Sequence, residues 1–278
     1  MATGETLQQA ETRERPRIAL VAMAAAIFTL LAPLFTLASL GDQPENLPAI
    51  VLYSNEHVGQ FVARTVCSVL GLIAIAIVLD FLYRATRARN PQLPTMLRPL
   101  PWIGGLGLAA VTIGIQVVSI VNFGHFETES SFTYDEAKAA IDFGALQLIG
   151  VTVQLAFGFA FVMIAINAMR VGLLTRLLGY VGVISAVLFV IALLPVPIIQ
   201  AYWLGALAFM LWGRSPTGLP PAWQSGEAMP WPSPAEMREA RVREAEARRG
   251  EPALPEAIED EAGAPSPATS RRKRKRRR

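Results

Sequence analysis

The sequence predicts an all-α polytopic membrane protein with six transmembrane helices and a disordered cytoplasmic C-terminal tail. Three observations lead there. Five long stretches carry no charged side chain: Ile18 to Leu40, Thr65 to Leu79, Pro101 to Gly124, Phe143 to Met169 and Leu177 to Gly213. Arginines collect in every second connection between those stretches. Beyond Gly213 the composition changes abruptly, with ten of the chain's 20 prolines falling between Arg214 and Ser270.

The overall composition agrees. Hydrophobic residues make up 53% of the 278 and charged residues 17%, against roughly 25% charged in soluble domains, which argues against a soluble single domain. The net charge of +3 hides a division: the last eight residues hold eight of the 25 Lys and Arg, leaving 17 against 22 Asp and Glu in the body. With Cys67 the single cysteine, an intramolecular disulfide, a four-cysteine zinc site and a CxxC redox pair are all excluded.

Taken in order, residues 1–17 form a cytoplasmic N-terminal segment, and 18–213 form the transmembrane domain. A bilayer core of about 30 Å needs roughly 20 apolar residues as helix. The first, third and fourth stretches meet that length, giving spans near 18–40, 101–122 and 146–169. The first is too long for a secretory signal and contains Pro33, so it reads as a retained, kinked anchor. The second is bounded by Arg64 and Asp80; its helix is expected from about Asn55 to Tyr83, with a span near 61–83. The fifth is long enough for two spans and is divided at Pro195 and Pro197 into 177–194 and 198–212.

Orientation follows from the loops, because Lys and Arg accumulate on the cytoplasmic side. Arg13, Arg15 and Arg17 precede the first span, Arg84, Arg87, Arg89 and Arg98 follow the second, and Arg170 and Arg176 follow the fourth. The intervening loops are acidic: one carries Asp42, Glu45 and Glu56, the other five acids against Lys138. Six spans with both termini cytoplasmic, in the plasma membrane, satisfy this alternation. The tail, 214–278, lacks the aliphatic residues to bury a core and is expected to be disordered, apart from a solvated helix near Pro234 to Arg249. Trp223 and Trp231 are expected at the headgroup level or exposed in the linker. Its last eight residues, Arg271, Arg272, Lys273, Arg274, Lys275, Arg276, Arg277 and Arg278, are expected to contact anionic lipid headgroups of the inner leaflet, with nucleic acid as the alternative partner.

Catalytic signatures are absent: the chain has no GxxxxGK[ST], HExxH or GxSxG, so an enzyme is not favoured and no cofactor is expected. Gly104, Gly105 and Gly107 read as a close-packing stripe. His57, His125, Glu127 and Glu129 form a candidate metal-ligand set; in an extended segment the last three would face one way. Thr133 and Glu136 have capping-box spacing, predicting a short outer helix from Tyr134 to Phe143. Asp80 and Arg84 read as an intrahelical ion pair.

Polar residues within the spans are costly in lipid and face a bundle or a wet cavity. Glu56, Gln60, Arg64 and Ser68 stand four apart on the second helix. Thr112, Gln116, Ser119 and Asn122 form a stripe on the third, and Gln147 and Gln154 share a face of the fourth. All three stripes lie in the outer half, which suggests an outward-facing polar pocket around Arg64.

The join WLGALAFMLWGRSPTGLPPAWQSGEAMPWPSPAE, and RVGLLTRLLGYVG before the fifth span, resemble segments of uncharacterised multi-pass membrane proteins of actinobacteria. That resemblance implies a polytopic membrane fold and no catalytic residue. The function expected is a structural or interaction protein of the plasma membrane with a lipid-associating basic tail and a protein partner or second copy. The alternative is a transporter or small-solute binder using the pocket around Arg64.

Overall fold

The computed structural model describes residues 2–37, 44–191, 197–216 and 218–232, together with 236, 238, 239 and 241–244. The chain divides into two units, Met1–Trp231 and Pro232–Arg278. The basic residues 271–278 and the acid Asp42 lie outside the described residues.

All regular elements among the described residues are helical. They are α1 (Ala2–Leu37), α2 (Leu47–Glu56), α3 (Val58–Arg89), α4 (Leu100–Glu129), α5 (Tyr134–Ala140), α6 (Ala145–Arg170), α7 (Arg176–Ile191), α8 (Ile198–Leu211) and α9 (Pro221–Ser225), with a 3₁₀ turn at Thr95–Leu97. Four helices are long and apolar enough to cross a membrane, as Gln8–Phe35, Val58–Arg89, Thr95–Glu129 and Ala145–Arg170. The other two expected spans appear as shorter apolar helices, α7 of 16 residues and α8 of 14. Large apolar side chains such as Leu20, Val117, Leu148 and Phe159 point outward. In water such a surface would be an aggregation liability; against acyl chains it costs nothing.

The core is built on small residues. In α1, Ile18, Ala19, Ala22, Ala25 and Ala26 are buried, the three-and-four spacing of a helix face, so α3 and α8 approach closely. Helix α4 comes still nearer its neighbours. A Cβ on Gly104 would stand 2.5 Å from the Cβ of Phe157, one on Gly105 2.8 Å from the Cβ of Ala76, and one on Gly107 2.7 Å from Val153. The glycine stripe is therefore the contact by which α4 seats between α3 and α6.

Several boundaries differ from expectation. The N-terminal segment is helical and continuous with the first span, through both Pro16 and Pro33. The second helix does not begin at Asn55: His57 leaves the helical conformation at φ −105° and ψ 26°, stacks its ring on Tyr53 at 4.0 Å, and so divides α2 from α3. Gly59 lies just beyond, where its low propensity weakens continuation. Helix α5 forms with its Thr133 and Glu136 capping box complete, but ends at Ala140 rather than Phe143. A satellite cluster of Val51, Phe126, Ala137 and Ala140 packs α2 and α5 on the end of α4.

The largest correction concerns the tail. Residues Arg214 to Trp231 belong to the first unit, and Trp223 is only 2% exposed. In the second unit the described residues 236, 238, 239 and 241–244 are helical, with Glu239 and Arg243 paired at 3.6 Å.

Candidate functional site

The two ends of the bundle are built differently. At one end, Arg89 closes α3 with its side chain 1% exposed. A guanidinium has five N–H groups, and all five are satisfied. Nη1 and Nη2 each donate to Glu11 at 2.8 Å, Nη1 also to the Ala85 carbonyl, and Nε and Nη2 to the Ala222 carbonyl. The Trp223 ring lies 5.4 Å from the Arg89 guanidinium carbon and stacks on Phe81. Its Nε1 donates to the Leu173 carbonyl, and Trp231 Nε1 donates to the Leu174 carbonyl. Gly172, at φ 81°, admits Met229, whose N–H donates to the Val171 carbonyl. The PPAW to MPW segment is thus docked on the turn between α6 and α7. Trp223 and Trp231 are therefore not loose in a linker.

At the same end Asp80 receives Arg84 at 3.1 Å, as expected, and also Arg98 at 3.8 Å, while Arg84 reaches Glu14 at 3.1 Å. Arg87 donates to the Tyr83 hydroxyl and to the Leu93 carbonyl, pinning the connection to α4.

Away from that end lies a cavity of about 570 Å³ among α1, α3, α4, α6, α7 and α8, within the ordinary range of ligand pockets. Its α3 wall runs from Arg64 to Ile75, a rise of about 16 Å along the helix. Arg64 is exposed at this wall, and among the described residues no acid or hydrogen-bond acceptor partners its guanidinium. Ser68, Thr112, Gln154, Ser185 and Gln200 supply further polar atoms. Two of these are already used: Gln154 Nε2 donates to the Phe189 carbonyl at 2.7 Å, and Ser185 Oγ to the Val181 carbonyl at 2.8 Å. Gln200 is 5% exposed, and among the described residues its amide has no hydrogen-bond partner. A buried amide left so costs about 1–3 kcal/mol.

Of the eight residues expected in an outer pocket, the structure brings Arg64 and Gln154 to the cavity. Glu56 ends α2, so it does not continue the α3 stripe, and it is exposed, as are Gln60 and Gln147. Gln116 Oε1 accepts from the Thr65 hydroxyl at 2.9 Å, a tie between α3 and α4. Ser119 donates to the Ile115 carbonyl of its own helix, and Asn122 to the Ala140 carbonyl, fastening α5. Sequence reasoning missed Gln200, although it is the one strongly polar residue between Pro197 and Trp212.

The expected metal set is not assembled. Helix α4 continues to Glu129, so His125 and Glu129 share a face, Nδ1 to Oε2 3.5 Å, while Glu127 turns away to Asn55. His57 stands on Tyr53 instead. Among the described residues no three His, Cys, Asp or Glu side chains converge.

Fold and cavity together define a helical protein with four helices fit to cross a membrane and a polar-mouthed chamber between them. No family model matches the chain, and no curated protein or solved structure matches it.

Proposed function

We propose that the chain is a six-span protein of the plasma membrane, both termini cytoplasmic, that binds or transports an anionic small solute through the cavity beside Arg64. Arg64 carries the reading. Among the described residues it is a cation in an apolar bundle with no acid beside it, at the mouth of a chamber that also holds Gln200, whose amide has no partner among those residues. A structural arginine would be expected to resemble Arg89, with its donors occupied by the protein itself. The orientation is supported by the clustering of Arg84, Arg87, Arg98 and Arg170 at the opposite end. As spans, α7 and α8 would cover about 24 and 21 Å, and the bilayer would thin or neighbouring residues snorkel around them.

Thermal unfolding in a neutral detergent tests the reading, with inorganic phosphate, sulfate and acetate compared on the wild type and Arg64→Gln. At least one anion should raise the wild-type midpoint and leave the variant unmoved. Equal responses would remove the site.

Docking of Trp223 and Trp231 favours a second reading, an interaction protein with a lipid-associating basic tail. It fixes the point from which the remaining chain departs, and the basic octet starts 40 residues after Trp231. Co-sedimentation of a tail peptide with anionic vesicles at physiological salt is its test; RNA binding without vesicle binding would replace lipid by nucleic acid.

A further inference from the structure

The chamber beside Arg64 is not uniformly polar, and the distribution carries chemical information. Its cation stands at the end of the α3 wall farthest from Arg89, and the amides of Gln154 and Gln200 line the same chamber. Farther along α3 the lining turns apolar, with Leu72 and Ile75 joined by Phe28 of α1 and Leu108 of α4. Ile75 is 2% exposed, so the floor is closed toward the core. A small hydrated anion such as inorganic phosphate would use Arg64 and leave the floor empty of any partner. An apolar molecule would fill the floor and leave Arg64 and Gln200 unsatisfied, an arrangement that costs free energy when polar groups are desolvated.

We infer that the cavity takes a single-chain amphiphile with an anionic headgroup, a carboxylate or phosphate at Arg64 and Gln200 and its chain along Leu72, Ile75 and Leu108. The inference rests on the proposed anion-binding role of Arg64 and adds the tail. Arg64 supplies paired donors matched to a carboxylate or phosphate. The Gln200 amide, which finds no partner among the described residues, gains one. The chain replaces empty space along α3 beyond Arg64, as far as Ile75. Such a ligand can enter from the lipid phase or from water; the shared chemistry is the anionic head on one apolar chain.

The protein in phosphatidylcholine nanodiscs provides the test. Thermal midpoints are read against inorganic phosphate and the hexyl, octyl, decyl and dodecyl phosphates below their aggregation limits, with dodecanol as the uncharged control. Affinity should rise with chain length by up to roughly fourfold for each methylene buried. Leu108→Trp, which fills the floor, should flatten that rise while leaving the response to inorganic phosphate. Arg64→Gln should abolish the difference between dodecyl phosphate and dodecanol, and Gln200→Leu should weaken dodecyl phosphate severalfold. Because Leu108→Trp could disturb folding, the wild-type chain series stands as an independent reading. A response to inorganic phosphate with no chain-length dependence would overturn the amphiphile and keep the anion site. No response to any phosphate would overturn both. A chain-length rise identical in wild type and Leu108→Trp would assign it to partition into the nanodisc lipid and likewise overturn the inference.

Discussion

Arg64 and Arg89 sit 25 residues apart on one helix and have opposite surroundings. Arg89 is closed in: Glu11 takes it bidentately, two carbonyls take the remaining donors, and Trp223 covers it. Arg64 faces a chamber and has no such partner among the described residues. The pair separates two uses of a cation in an apolar bundle. A buried charge whose donors are all occupied by the protein fixes an architecture, whereas one left open at a cavity mouth is available to a ligand.

The comparison can be broken most severely at the closed end. Glu11→Ala should destabilise by about 4 kcal/mol, because Arg89 stays buried with its charge unpaired; chemical or thermal unfolding in neutral detergent would measure it. Trp223→Ala should cost about 3 kcal/mol and release the PPAW segment, visible as faster proteolysis between Gly213 and Trp231. At the open end the signs differ. Gln200→Leu should stabilise the empty protein by about 1 kcal/mol, since it removes a buried amide without a partner among the described residues. Arg64→Gln should change stability by about 0.5 kcal/mol or less, as expected of an exposed charge with no partner among the described residues. A loss at Arg64 comparable to that at Glu11 would erase the distinction.

The smallest effect lies outside the bundle. The Thr133 hydroxyl and backbone N–H, with the Ser131 N–H, hold the Glu136 carboxyl below the usual carboxylate range. Hydrogen bonds that favour the charged form lower the folded-state value, so this contribution to α5 is present at neutral pH. It fades as the pH falls through the depressed value. Helicity of α5 followed by hydrogen exchange should therefore decline only in acid, and Glu136→Gln should remove that dependence.

What could be read from the sequence was what neighbouring residues determine. Helix α6 at Ala145–Arg170 matches the uncharged run, Thr133 and Glu136 cap α5, and the glycines of α4 mark a close approach. What escaped depends on distant partners. Glu11 and Arg89 are separated by 78 positions, and no periodicity joins them. The proline-rich stretch after Gly213 reads as unable to bury a core because the surface that buries Trp223, at Leu173, lies 50 residues earlier. The metal set failed for a simpler reason: α4 runs seven residues past Asn122, and a helix turns Glu127 away from His125 and Glu129. Arg64 was recognisable as an isolated cation, whereas Gln200 joins it only through the packing of α8.

Cys67 offers the most direct measurement, because it is the only cysteine in the chain and lines the cavity beside Arg64. Charged, membrane-impermeant methanethiosulfonates applied to intact cells report both exposure and local potential. The account expects labelling from outside, faster with the anionic than the cationic reagent, slowed by dodecyl phosphate, and with the charge preference lost in Arg64→Gln. Labelling only from the cytoplasmic side, or a rate indifferent to both dodecyl phosphate and the charge at position 64, would contradict it.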